Sequence, residues 1–347
     1  VSLNYGSFVL LVGGKGYSHD HSLSSYFALR DEILSSRVVR NRLSSIYYIT
    51  EEGKVLLHEN HENQNLPNSE HDFMTNGKPI EWTEMIKRIT KSKDYIFSML
   101  HGKEGGDGRY QGVCELLELA GNLGSVFSAC ICRSKWALSF MAPRLSQDLV
   151  TSPATWLLSS SSSELEMNNV IQQLSGRPAI IKPNSLGNSF YIEFFNTLTL
   201  SQLKSQIDVI RPHDKEILVQ EYIAGSEYSC GILEIDGKIQ ALPVAEVQTK
   251  NNFFGPKEKE NNLETILFRE DGTGPVEQIK LASLKLFNVL GIRNSCRFDF
   301  IYSNEKLYFL EANSAPGLGK DSIYPKMLKQ ANLSRLDFVN ICISNQY

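Results

Sequence analysis

Residues 296–313 read CRFDFIYSNEKLYFLEAN. Two apolar, aromatic-rich runs flank a short polar turn, the pattern of a β-hairpin. Alternation puts Arg297 and Asp299 on one face of the first strand, and Glu311 and Asn313 on one face of the second. A three-residue loop at Asn304-Glu305-Lys306 sets Asp299 opposite Glu311 and Arg297 opposite Asn313. The remaining positions are almost all apolar, so four polar heads share a patch on a buried hairpin, where unpaired charge is expensive. Two carboxylates and an amide oxygen suit a hard divalent cation such as Mg²⁺, which takes oxygen ligands and keeps room for phosphate. The alternative is an arginine–carboxylate salt-bridge cluster.

Upstream, residues 179–189 read AIIKPNSLGNS, a strand ending in Lys182 that opens into a small polar loop. The N–H groups of such a loop wrap phosphate oxygens while the lysine supplies a point charge, although the spacing is not that of a P-loop. Residues 101–112, HGKEGGDGRYQG, are too glycine-dense for an ordinary turn and stand at a strand end, where α/β sheets bind ligands. Gly13-Gly14-Lys15-Gly16 follows the first strand, but His19 occupies the third glycine position of G-x-G-x-x-G, so a nicotinamide dinucleotide is not supported.

Strand-like and helix-like patterns alternate, which favours α/β units. Strands are expected at 7–12, 45–50, 95–100 and 178–182, with 217–222 and 229–235 continuing as strands of a second sheet. Helices are expected at 22–35, 82–90, 113–120 and 276–290. Ser163 and Glu166 form an S-x-x-E capping box for a further helix that Gly176 ends. Residues 51–80 read as an extended loop or hairpin, and 250–262 as a mobile loop.

The 347 residues suggest two or three domains. A net charge of −4 without a long basic run argues against a nucleic-acid partner. No apolar run approaches the roughly 20 residues that span a bilayer, and the opening residues lack a signal-peptide pattern, so a cytoplasmic protein without membrane partners is expected. Six cysteines without C-x-x-C spacing encode neither zinc nor a disulfide framework.

In order, these stretches resemble the D-alanine:D-alanine ligase family of ATP-grasp enzymes, from Val12-Gly13-Gly14 to Ser322-Ile323-Tyr324-Pro325. The most specific portions are H-G-x-x-G-x-D-G-x-x-Q-G at 101–112, K-P at 182, R-x-D at 297 and E-x-N-x-x-P-G at 311–317. The resemblance implies a three-part mixed α/β ATP-grasp architecture. A doubly wound N-terminal α/β domain would span residues 1–122, a central domain with the phosphate loop 123–218, and a C-terminal domain with the metal and second-substrate site 219–347. It implies that Lys135 and Lys182 hold ATP phosphates, with Ser185, Ser189 and Lys259 also on the nucleotide. Gln220 and Ile223 fall at the adenine and Glu227 at the ribose. Asp299, Glu311 and Asn313 match ligands of two Mg²⁺ ions, which Mn²⁺ can replace. Arg297 and the Gly317 N–H match oxyanion stabilisers, His101 joins the catalytic set, and Ser322 holds the second substrate's carboxylate. The partners implied are amino-acid or other carboxylate substrates and a second copy of the chain, as a homodimer.

Four departures stand out. Where the family keeps a glutamate for the first substrate's amino group, this chain has Ser18. Gly187-Asn188-Ser189 replaces G-S-S, the mobile-loop tyrosine is replaced near Glu260, and G-E-D-G becomes Gly105-Gly106-Asp107-Gly108. All four touch first-substrate recognition or loop closure, while the phosphate and metal set is intact. The expectation is therefore an ATP-dependent carboxylate–amine ligase with an altered first substrate. Its rivals are a true D-alanine:D-alanine ligase and a nucleotide-binding protein without ligase activity.

Overall fold

The computed structural model describes residues 6–60, 65–187, 189–249, 264–269, 272 and 274–345. Strands β1 (Phe8–Gly13), β2 (Leu43–Ile49), β3 (Val55–Glu59), β4 (Lys78–Ile80) and β5 (Tyr95–Ser98) form one sheet in the order β4-β3-β2-β1-β5. β1 runs parallel to both its neighbours, β2 and β5. All six of its residues are buried. Phe8, Leu10 and Val12 enter one core and Val9 and Leu11 another, as a strand covered on both faces requires. The helix His19–Ser35 follows β1 and packs on it.

A second sheet holds β6 (Thr155–Ser159), β7 (Ala179–Pro183), β8 (Glu193–Phe195) and β9 (Glu216–Glu221), in the order β6-β9-β7-β8. The capping box forms as its spacing predicts. The Ser163 hydroxyl accepts from the Glu166 N–H at 3.3 Å, and the Glu166 carboxylate accepts from the Ser163 N–H at 2.6 Å. That helix, Glu164–Leu174, ends where Ser175 and Gly176 turn left-handed. The third sheet contains β10 (Ser226–Ile235), β11 (Lys238–Ala241), β12 (Val244–Thr249), β13 (Glu264–Arg269), β14 (Ser295–Ser303) and β15 (Lys306–Asn313).

Four expectations need correction. Residues 217–222 and 229–235 do not share a sheet: β9 pairs with β6 and β7, whereas β10 pairs with β12 and β14. β9 therefore also runs across the expected boundary at 218/219, and the three-part division stays a proposal. Of the extended loop or hairpin expected at 51–80, the loop is wrong: β3 and β4 pair antiparallel, as in a hairpin, around the helix Glu70–Asn76, and buried Val55, Leu57 and Phe73 feed two cores. The glycine-dense stretch is partly helical, at Gly102–Gly105, and the helix expected at 113–120 is instead Arg109–Leu116. Lastly, the hairpin turn is Asn304-Glu305, because Ser303 pairs with Lys306.

The last two helices, Ile323–Gln330 and Arg335–Asn345, fasten the first sheet to the third. Tyr324, Leu328, Phe338 and Val339 share a core with Phe8 and Phe97 on one side and Leu233 and Ala245 on the other. Tyr17, in the loop after β1, meets Tyr191 and His213 in loops of the second sheet, so loops from all three sheets come to one region. The expected mobile loop at 250–262, with Lys259 and Glu260, lies outside the described residues, as does Asn188. Among the described residues no helix is long and apolar enough to cross a membrane.

Candidate active site

The β14–β15 hairpin sets Asp299 opposite Glu311 and Arg297 opposite Asn313. The expected pairing thus arises by a different route. A two-residue turn would shift the register by one, and a bulge between Asp299 and Phe300 restores it by leaving Leu310 unpaired. Asn304 and Glu305 both have positive φ, at 48° and 61°, the conformation of a tight type I′ hairpin.

Arg297 grips the Asp299 carboxylate through Nε at 2.9 Å and Nη2 at 2.7 Å. The Ser229 hydroxyl donates to the same carboxylate at 2.6 Å, and the Asn313 amide contacts it at 3.3 Å and the Glu311 carboxylate at 3.4 Å. Burial alone would lower the pKa of Arg297, but Asp299 and then Glu311 raise it above the ordinary value. The salt-bridge cluster is thus present, and it leaves Glu311 facing outward to Lys135 at 3.3 Å. Among the described residues no three His, Cys, Asp or Glu side chains are grouped to hold a metal. The donor set is instead two carboxylates and an amide converging from facing strands. Those hard oxygen donors fit Mg²⁺, and Arg297 supplies the positive charge that Asp299 meets.

β7 delivers Lys182, buried and donating to the Gln220 side-chain Oε1 at 2.8 Å. Burial, helped by the charge of Lys135, lowers the Lys182 pKa to about 8. Gln220, expected at the adenine, thus has its side chain occupied, since its amide nitrogen also donates to Thr155 at 2.8 Å. Lys182, Gln220, Ile223 and Glu227 nevertheless line one cleft between the second and third sheets, with Ile180 and the bulged Leu310. Its void of about 300 Å³ is of small-ligand size. Ile180 and Leu310 were not singled out from the sequence, where they look like ordinary strand hydrophobes.

Lys135 begins the helix Lys135–Leu145 and donates to the Leu186 carbonyl at 2.7 Å. Asn184, unnoticed in the sequence, ties the loop after β7 to that helix. It is buried, its side-chain Oδ1 accepts from the Trp136 N–H at 2.9 Å, and its Nδ2 donates to Glu216 at 2.6 Å. Ser185 is held by Asp214 through both its N–H, at 2.7 Å, and its hydroxyl, at 2.8 Å. Ser189 lies in a turn with φ of 59°.

The remaining residues lie where the first sheet meets the third. Ser18 precedes the helix His19–Ser35 and packs against Gly102, whose φ of 69° and contact with that side chain leave no room for a Cβ. His101 joins its loop to residue 315, with Nδ1 at 3.2 Å from the Ala315 carbonyl. Burial, then repulsion from His21, lowers its pKa to about 4, so the imidazole is neutral and Nδ1–H is the donor. Ser322 sits beside Gly317, its hydroxyl 3.1 Å from where a Cβ would stand.

Three linked sheets, a cleft between the second and third, and a carboxylate-bearing hairpin at its rim define a multidomain α/β protein of ATP-grasp-like architecture. Two solved structures share it across nearly the whole chain. The VanG D-Ala:D-Ser ligase from Enterococcus faecalis is 24% identical, with a TM-score of 0.76 and 99% of each chain covered. The D-alanine-D-alanine ligase from Coxiella burnetii is 20% identical, with a TM-score of 0.77, covering 98% of this chain and 94% of that one. Among curated proteins, D-alanine--D-alanine ligase from Thermotoga petrophila is 29% identical over 260 residues, 74% of this chain and 81% of that protein. D-alanine--D-alanine ligase A from Bacillus cereus is 28% identical over 268 residues, 76% and 85% of the two. Residues 147–344 match the family described as D-ala D-ala ligase C-terminus. The chain belongs to the D-ala D-ala ligase family.

Proposed function

We propose that this protein is an ADP-forming ligase that activates a carboxylate with ATP and joins it to the amine of a second amino acid. The observation that carries this reading is the placement of Lys182 in the nucleotide cleft with Lys135 between the phosphate loop and Glu311. The nucleotide base enters the cleft at Ile180, Ile223 and Leu310, with Glu227 toward the ribose. Lys182 and Lys135 then face the phosphates, Lys182 fixed by Gln220. Asp299, Glu311 and Asn313 would hold Mg²⁺, which when bound neutralises charge on the transferring phosphoryl group. The reacting carboxylate oxygen attacks the γ-phosphorus and ADP leaves, giving an acyl phosphate. The amine then attacks the acyl carbon, loses a proton, and expels phosphate. Arg297 and the Gly317 N–H face the developing oxyanion, and Ser322, next to Gly317, holds the second substrate's carboxylate.

Serine at position 18 separates this chain from a D-alanine:D-alanine ligase, because a hydroxyl replaces the carboxylate that would pair with the first substrate's ammonium. D-alanine is therefore a poor first substrate. A cytoplasmic location and a homodimer belong to the same proposal. The test is phosphate release over pairs of D- and L-amino acids and other carboxylic acids, with products identified by mass. ADP, phosphate and an amide in equal amounts are expected. Nucleotide binding without phosphate release from any pair would instead favour a binding protein.

A further inference from the structure

Arg133 ends the helix Val126–Arg133, two residues before Lys135. Its side chain is half-buried, and burial lowers its pKa against longer-range attraction from Glu311, Asp107 and Asp214. Among the described residues its guanidinium makes no hydrogen bond and no ion pair. The three acids that attract it are engaged elsewhere. Asp214 holds the Ser185 N–H and hydroxyl, Asp107 faces Arg109 at 3.5 Å, and Glu311 faces Lys135 at 3.3 Å. Five N–H donors in a rigid plane, drawn out of bulk water and unmet by protein, make a receptor for a carboxylate or phosphate.

The position of Arg133 says which molecule brings that anion. One guanidinium nitrogen lies 3.9 Å from where a Cβ on Gly102 would stand, and the other lies 4.0 Å from the corresponding point on Gly187. The Ser18 Cβ lies 3.0 Å from that same point on Gly102. Arg133 thus spans the gap between the phosphate loop and the glycine-rich loop of the first sheet, and does not line the nucleotide cleft. An acid presenting one carboxylate to the γ-phosphate near Glu311 would extend its other end into this gap. Ser18 there offers a hydroxyl and no charge, and among the described residues Arg133 brings a guanidinium to the gap.

We propose that the acid activated by this protein carries a second anionic group, a carboxylate or a phosphate, which Arg133 receives between Ser18, Gly102 and Gly187. This rests on the carboxylate–amine ligase reading. The second group is bound and not transformed, and the phosphoryl transfer is as described above.

The test measures phosphate release by the wild type, Arg133→Gln and Arg133→Lys, with three kinds of first substrate. These are alanine, dicarboxylic acids (succinate, aspartate, glutamate) and phosphorylated acids (phosphoserine, 3-phosphoglycerate), with both enantiomers of each chiral acid. In the wild type at least one anionic acid should exceed alanine about 10-fold in kcat/KM, and the better arm tells carboxylate from phosphate. Arg133→Gln should erase that preference of about 10-fold with the KM for ATP within about threefold, and Arg133→Lys should restore part of it. A wild type that prefers alanine overturns the proposal. So does an Arg133→Gln protein whose ATP KM rises while its acid preference is unchanged, which would assign Arg133 to the γ-phosphate. Calorimetric titration of the same acids into protein loaded with a non-hydrolysable ATP analogue separates the two readings. Arg133-dependent binding without turnover keeps this inference and removes the ligase, whereas turnover of neutral acids alone does the reverse. If Arg133→Gln does not fold, the wild-type preference and Arg133→Lys still decide.

Discussion

At the scale of single residues, Glu311 and Lys182 carry the sharpest expectations. Glu311 is half-buried and faces Lys135, so Glu311→Gln keeps its volume and removes the negative charge facing that lysine. Turnover should fall to background while the thermal midpoint stays near that of the wild type. A folded Glu311→Gln protein with unaltered kcat would reject the metal assignment. Lys182 has its pKa lowered to about 8 by burial and by Lys135. It is charged below that pH and loses its proton as pH rises through it. The free protein's affinity for ATP should therefore weaken above about pH 8, while Lys182→Arg, which does not titrate there, should remove that dependence. Identical pH profiles for the two proteins would show that Lys182 does not meet the phosphates. Much of this residue set was legible, because carboxylates on an otherwise apolar hairpin have few places to go. Asn184 and Arg133 were not, since their significance depends on Glu216, Gly102 and Gly187, which only the folded chain brings near.

At the scale of elements, the hairpin shows how a correct pairing can follow from an incorrect loop. Glu305 holds a left-handed φ of 61° and is exposed. That conformation costs a non-glycine residue about 1–2 kcal/mol, partly offset by the greater chain entropy glycine loses on folding. Glu305→Gly should therefore raise stability by about 0.5–1 kcal/mol, read as a higher urea midpoint with kcat unchanged. A lower midpoint would contradict the type I′ turn. Local signals such as the β1 run and the Ser163–Glu166 box were readable, because each is decided within a few residues. The helices Val126–Arg133 and Lys135–Leu145 were missed, one of them carrying Pro143 in its interior. The partition of β9 and β10 between two sheets was equally hidden, since adjacent strands in sequence give no sign of their hydrogen-bond partners.

At the scale of the whole molecule, loops from three sheets meet at one place, and His101 helps to hold them. Its Nδ1–H donates to the Ala315 carbonyl, joining the first sheet's glycine-rich loop to the segment after β15. Burial lowers its pKa from 6.5 to about 4, so between those values the unfolded chain binds a proton that the folded one refuses. Stability from this group is complete above pH 6.5 and is lost as pH falls toward 4. Thermal midpoints of the wild type should therefore drop more steeply over that interval than those of His101→Asn, and parallel curves would contradict the buried neutral imidazole. The central claim is that ATP activates a carboxylate by phosphorylating it, and its most direct measurement follows an oxygen atom. An active acid labelled with ¹⁸O in its carboxylate is turned over with ATP and amine, and the phosphate released is analysed by mass. One ¹⁸O should appear in each phosphate, because the carboxylate oxygen becomes the bridge of the acyl phosphate and leaves with it; unlabelled phosphate would show ATP cleaved by water and no activated acid.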